Sequence, residues 1–190
     1  MGAELLNFER TVLQGTLQQR TIRDVGPNMF YTASVDGSKP QPRRTVVADS
    51  KCDSCHNSLS AHGGNRNSAI MCVFCHNPGL TAGATRESWN YVNMIRRFHE
   101  EARYPGVLNN CTQCHEGDSQ SLPLPAGLRP VANGEAPMDP TQPTTNACLV
   151  CHNSTDNWSH AAANTTPLGE SCSVCHGRAS DHAVNKVHAQ

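Results

Sequence analysis

Cys52-Asp53-Ser54-Cys55-His56 decides how this chain is read, because the same Cys-x-x-Cys-His pattern returns four more times. The other copies are Cys72-Val73-Phe74-Cys75-His76, Cys111-Thr112-Gln113-Cys114-His115, Cys148-Leu149-Val150-Cys151-His152 and Cys172-Ser173-Val174-Cys175-His176. Together they use all 10 cysteines of the 190-residue sequence. Chance would produce only roughly 0.03 copies in a chain of this length and Cys and His content. The pattern is the attachment signature of c-type haem. Two cysteines bind the porphyrin vinyl groups as thioethers, and the next histidine is delivered to one face of the iron. Two intervening residues let both sulfurs reach one macrocycle.

A second count extends the argument. Of 10 histidines, five lie in the motifs (His56, His76, His115, His152 and His176) and five lie outside (His62, His99, His160, His182 and His188). A six-coordinate haem iron takes two axial ligands, and histidine can supply both. The expectation is five covalently attached haem c groups. The motif histidines are the proximal ligands and the other five the distal ones, with the assignment of distal residue to haem left open. Disulfides would not place a histidine after every second cysteine. Zinc usually joins two Cys-x-x-Cys units, which leaves one of five alone. Methionines are the competing ligands, but the histidines suffice; Met94 reads as core packing.

Composition points the same way. Hydrophobic residues make up 37% and aromatic residues 5%, with 14 glycines and 12 prolines. That is thin for a self-sufficient core. Five flat apolar cofactors would be the core, with the polypeptide wrapped around them. The expected fold class is a mostly irregular and α-helical multihaem cytochrome fold organised around five c-type haems, with a short N-terminal β segment. Formal net charge is −1 and no basic stripe is present, so nucleic acid is not an expected partner. With oxidised haems and free propionates the total would be about −6. No apolar run approaches the roughly 18 residues of a membrane-spanning helix. Met1-Gly2-Ala3-Glu4 lacks the charged and apolar regions of a signal peptide. Haem attachment of this kind happens outside the cytoplasm, so a signal removed or replaced, or a longer precursor, is expected.

Two parts are expected: residues 1–48, free of Cys and His, and a pentahaem domain over 49–190. In the first, Thr11–Leu17, Met29–Val35 and Thr45–Val47 read as short strands, packed on the haem region or on something outside the chain. In the second, the motifs fall in a 2–1–2 pattern, with faint likeness between the outer pairs. The spacing of Trp89, Val92, Ile95 and Phe98 or His99 predicts a helix over 85–103, ended by Tyr104-Pro105-Gly106. Ser119–Asn146, with six prolines, is a long connection that drapes over the haems or bears a partner surface. Residues 180–190 read as a short helix capped by Ser180 or Asp181, with His182 and His188 serving different haems.

The text around the motifs is more specific still. Arg43-Arg44-Thr45-Val46-Val47, Lys51 through Arg66, Cys72 through Pro78, Met94-Ile95-Arg96-Arg97-Phe98-His99, Tyr104-Pro105-Gly106 and Asn110 through His115 resemble the OmcA/MtrC family of outer-membrane decahaem cytochromes. The resemblance runs from about residue 29 to the end and is strongest over 43–117. It implies a module like the C-terminal pentahaem half of those proteins, after the end of a β-domain. It also implies an extracellular or outer-membrane-surface place, with the periplasm as the alternative. The partners it implies are other multihaem cytochromes or copies of this chain, and extracellular acceptors such as iron and manganese oxides, flavins or electrodes. Members usually carry ten or more haems and begin with an export signal or lipoprotein cysteine; five motifs and no such start are seen here. The leading expectation is an electron conduit rather than an enzyme, with terminal metal reduction as its furthest reach. A subunit of a cytochrome filament is a variant of it. A multihaem reductase would want an open iron, and all five motifs end in histidine. A binding protein with structural haems would have a haem row too gapped to conduct.

Overall fold

The structure, a computed structural model, describes residues 4–13, 16–102 and 104–188. It is mostly irregular chain punctuated by short helices, with only small two-stranded sheets among the described residues. Strands β1 (Glu4–Leu13) and β2 (Thr16–Val25) pair antiparallel from Glu4↔Val25 to Leu13↔Thr16. The expected extended run Thr11–Leu17 is thus divided between them, with Gln14 and Gly15 outside the described residues. Helices α1 (Asp49–His56) and α2 (Ala69–Cys75) follow, then the β3 (Thr81–Ala82) and β4 (Glu87–Ser88) hairpin and helix α3 (Tyr91–Glu101). A 3₁₀ turn at Cys111–Gln113 precedes α4 (Pro143–Leu149) and α5 (Thr155–Ala163). A hairpin of β5 (Thr165–Thr166) and β6 (Gly169–Glu170) leads to α6 (Cys172–His176) and α7 (Val184–Val187).

Several sequence expectations change. Met29–Val35 and Thr45–Val47 are not strands. Met29, Tyr31 and Val35 project into solvent without a partner strand, and the Val46 carbonyl is taken by the Glu116 amide at 2.8 Å. The helix expected from residue 85 begins at Tyr91. Glu87 and Ser88 are paired in β4, and the Asn90 side chain accepts from the Val92 amide at 2.8 Å, fixing the helix start. Arg103, its expected last residue, lies outside the described residues. The final helix is a single turn opening after Ala183 rather than at Ser180 or Asp181, and Ala189 and Gln190 lie outside the description. The 119–146 segment is a strap. Val131 bridges Thr141, Leu122 bridges Gly177, and the amides of Ala132 and Gly134 reach the carbonyls of Pro78 and Arg86.

The interior is small and mostly polar. Among the described residues, five hydrophobic ones are buried (Ala69, Leu122, Val131, Leu149 and Ala183), against nine polar ones that include Asn90, Asn93, Thr145 and Asn146. The chain exposes 13230 Å². A folded monomer of this mass would expose about 8,800 Å². Phe74, Trp89, Phe98 and Val174 all lie open. A surface about half as large again as size requires, with aromatics turned outward, is what a wrapping around non-protein apolar bodies looks like.

Fixed polar contacts replace apolar burial. Asn93 on α3 and Asn146 on α4 exchange amide hydrogen bonds of 3.0 and 2.7 Å while buried. The Asp49 carboxylate of α1 accepts from the Ala69 amide at the start of α2, at 2.7 Å. The Glu170 carboxylate accepts from the Thr144 and Thr145 amides at the start of α4, at 2.9 and 2.5 Å. Each carboxylate lies at a helix N-terminus, where backbone N–H groups lack partners and the dipole favours negative charge.

Candidate haem sites

Each motif opens on a helical turn. The histidine amide returns to the carbonyl of the first cysteine in three of them: His76 to Cys72 at 2.8 Å, His115 to Cys111 at 2.8 Å and His152 to Cys148 at 3.0 Å. The first and last motifs lie wholly within α1 and α6. Residues i, i+3 and i+4 share one face of such a turn, so both thiols and the imidazole face one side. None of the ten cysteines is joined in a disulfide. Among the described residues, no three His, Cys, Asp or Glu side chains converge as a zinc site would require. Burial, then the Asp49 charge, pushes the Cys52 thiol up to about 11. Burial likewise raises Cys72, Cys148, Cys151 and Cys172.

The histidines are oriented by their Nδ1 atoms. Nδ1 of His76 donates to the Trp89 carbonyl at 2.9 Å, that of His176 to the His182 carbonyl at 3.1 Å and that of His188 to the Val184 carbonyl at 2.9 Å. A carbonyl only accepts, so in each ring Nδ1 carries the proton and Nε2 keeps a free lone pair for a metal. His115 Nδ1 lies 3.2 Å from Ser119 Oγ, whose own proton goes to the Val46 carbonyl at 3.1 Å. Burial first, then the charges of Arg96 and Arg44, lowers the pKa of His115 to about 4, so this ring is neutral at physiological pH.

Ring spacing shows which histidines come together. Ring centres are 6.1 Å apart for His56 and His99, 6.3 Å for His62 and His76, and 5.9 Å for His152 and His188. His176 stands 6.2 Å from His160 and 6.5 Å from His182. Metal–imidazole bonds are about 2.0 Å long and the ring centre lies about 1.1 Å behind its nitrogen, so two rings on one metal have centres about 6.2 Å apart. Such spacings lie within the range of ordinary edge-on and offset ring contacts, and they also match two rings on one iron. For His176, the Nδ1 bond turns that ring edge toward the His182 main chain. Among the described residues His115 faces no second imidazole at this spacing. The segment bearing His182 is nevertheless tied to the chain after His115. Leu122 bridges Gly177, and Arg178 pairs with Asp118 at 2.5 Å.

Local backbone places the histidines outside the motifs. His62 adopts φ 51°, uncommon for a residue with a Cβ, and Gly63 and Gly64 continue the left-handed turn. The loop is braced by Asn28 and Asn67, which exchange backbone-to-side-chain bonds of 2.8 and 2.9 Å. His99 is held by α3 and meets Tyr104 edge-on at 5.1 Å. Sequence reading missed the supporting residues Asp49, Trp89, Asn93, Ser119, Asn146 and Glu170. A carboxylate three residues before one motif and two before another was the available signal.

Paired histidines and cysteine pairs on helical turns, in a shell too open for its own core, define a multihaem c-type cytochrome. The family model for outer-membrane cytochromes MtrC/MtrF-like, domains II/IV, matches residues 44–189, and the chain belongs to that family. It is 27% identical over 142 residues to multiheme cytochrome MtrC of Shewanella baltica, covering 67% of this chain and 21% of that protein. The chain thus spans about a fifth of that relative's length. No solved structure matches. No helix among the described residues is long and apolar enough to cross a membrane.

Proposed function

We propose that this chain is a five-haem electron conduit at the outer surface of the outer membrane. It would exchange electrons with other multihaem cytochromes or further copies of itself, and with extracellular acceptors such as metal oxides and flavins. The ring spacing of 5.9 to 6.3 Å in four histidine pairs carries the reading. His56 with His99, His76 with His62, His152 with His188 and His176 with His160 would each hold one iron. His182 is the remaining partner for His115, and the motif cysteines would anchor the macrocycles. Residues 49–190 form the haem-bearing part, and residues 1–48 a bracing segment.

A haem closed by two imidazoles supplies one-electron exchange with little change in geometry. The polypeptide's part is to fix the rings. Carbonyls at Trp89, His182 and Val184 set the tautomer, so each Nε2 is ready without reorganisation. The closed axial positions argue for conduction over substrate chemistry.

The test is direct. The intact mass should exceed the polypeptide by roughly 3 kDa. The ferric spectrum should be wholly low-spin, and protein-film voltammetry should show electrons crossing the loaded protein. A major high-spin species, or fewer than five haems per chain, overturns the proposal.

A further inference from the structure

Helix α3 carries two neighbouring arginines with opposite surroundings. Arg97 is exposed and neutralised twice, by Glu87 and by Glu101 at 3.3 Å. Arg96 turns inward and is half-buried, and its Nη1 donates to the carbonyl of Ala147, the residue before Cys148. No carboxylate lies within ion-pair distance of it among the described residues. Glu100, one turn further on, is exposed. The buried Asn93–Asn146 exchange, one turn earlier on the same face, fixes α3 against α4. The guanidinium is thereby held against the fourth motif, and His99, a residue of the first haem site, lies three positions on.

A half-buried cation without a counter-charge is costly unless an anion meets it. The described residues offer none there, but each haem c brings two propionates, and arginine's planar fork matches a carboxylate. We infer that Arg96 is a positioning residue beside the fourth haem site, holding a propionate and raising the reduction potential there. Reduction adds an electron, and a nearby positive charge favours the reduced form. Electrons would then be favoured at the haem of the fourth motif. This rests on the five-haem reading.

The experiment is a resolved potentiometric titration of the fully loaded protein. Arg96→Met, which keeps the aliphatic stem, should move at least one of the five one-electron steps to lower potential. Arg96→Lys should keep them in place, and so should Arg97→Gln. In the wild type, isotopically labelled arginine should shift a guanidinium band in the reduced-minus-oxidised infrared spectrum, and that band should vanish in Arg96→Lys. Five unmoved steps in Arg96→Met, an equal shift in Arg97→Gln, or no arginine band in the wild type overturns the inference. A wild type short of five low-spin haems instead overturns the parent reading.

Discussion

The first two motifs (residues 52–76) and the last two (148–176) solve one problem by the same plan with different parts. In both, the spare histidine lying between the motifs faces the second motif's histidine: His62 with His76, and His160 with His176. In both, the first motif's histidine looks to one beyond the pair: His56 to His99, and His152 to His188. In both, one carboxylate near one motif caps the helix leading to the other. The direction of that cap is reversed. Asp49 reaches forward from the first motif to α2, whereas Glu170 reaches back from the last motif to α4. The histidine pairing is therefore alike in the two regions, while the helix caps run in opposite directions. The middle motif belongs to neither plan. It sits on a 3₁₀ turn and is braced by Val46 from the N-terminal segment.

The sharpest way to break the comparison is to remove the matched distal residues. His62→Ala and His160→Ala should each open one iron, and reduced protein should then bind carbon monoxide at about one haem in five. His182→Ala should do the same, at the haem of the third motif. If His160→Ala binds none while His182→Ala disturbs the fifth motif's haem, the His176 assignment reverses and the symmetry of the two pairs fails. A smaller effect is expected at the joint between the halves. Asn93→Ala leaves Asn146 buried without its partner and should cost about 2 kcal/mol, read as a lower denaturation midpoint. Adding Asn146→Ala should cost less than a second such loss. The smallest effect separates the two caps. Glu170→Ala removes two charge-assisted bonds and should cost about 2 kcal/mol, Asp49→Ala only about 1 kcal/mol. Equal losses would show that the reversal of direction carries no energetic weight.

Much of the site was legible because covalent chemistry writes itself into spacing. Cys52, Cys55 and His56 do share one face of α1. Which histidines stand together was not legible, since that is set by contacts across long separations. His56 and His99 are brought together by a helix whose start depends on Asn90, and His152 and His188 by the closing turn. The strands expected at Met29–Val35 and Thr45–Val47 failed for a related reason. β-prone residues form strands only where a partner edge exists, and here the Val46 carbonyl serves the third motif instead. The polar fastenings at Asn93, Asn146 and Glu170 left no periodic trace, because each is a single residue acting at a distance.

The oversized surface has a consequence for how a cell keeps only finished copies. On the five-haem reading, a molecule that missed one porphyrin during maturation would gape where that porphyrin belongs, with Phe74 or Val174 laid bare beside it. Local opening there would offer a loose backbone to any nearby protease. Incomplete copies would be trimmed away, and the survivors would be those in which every link is present.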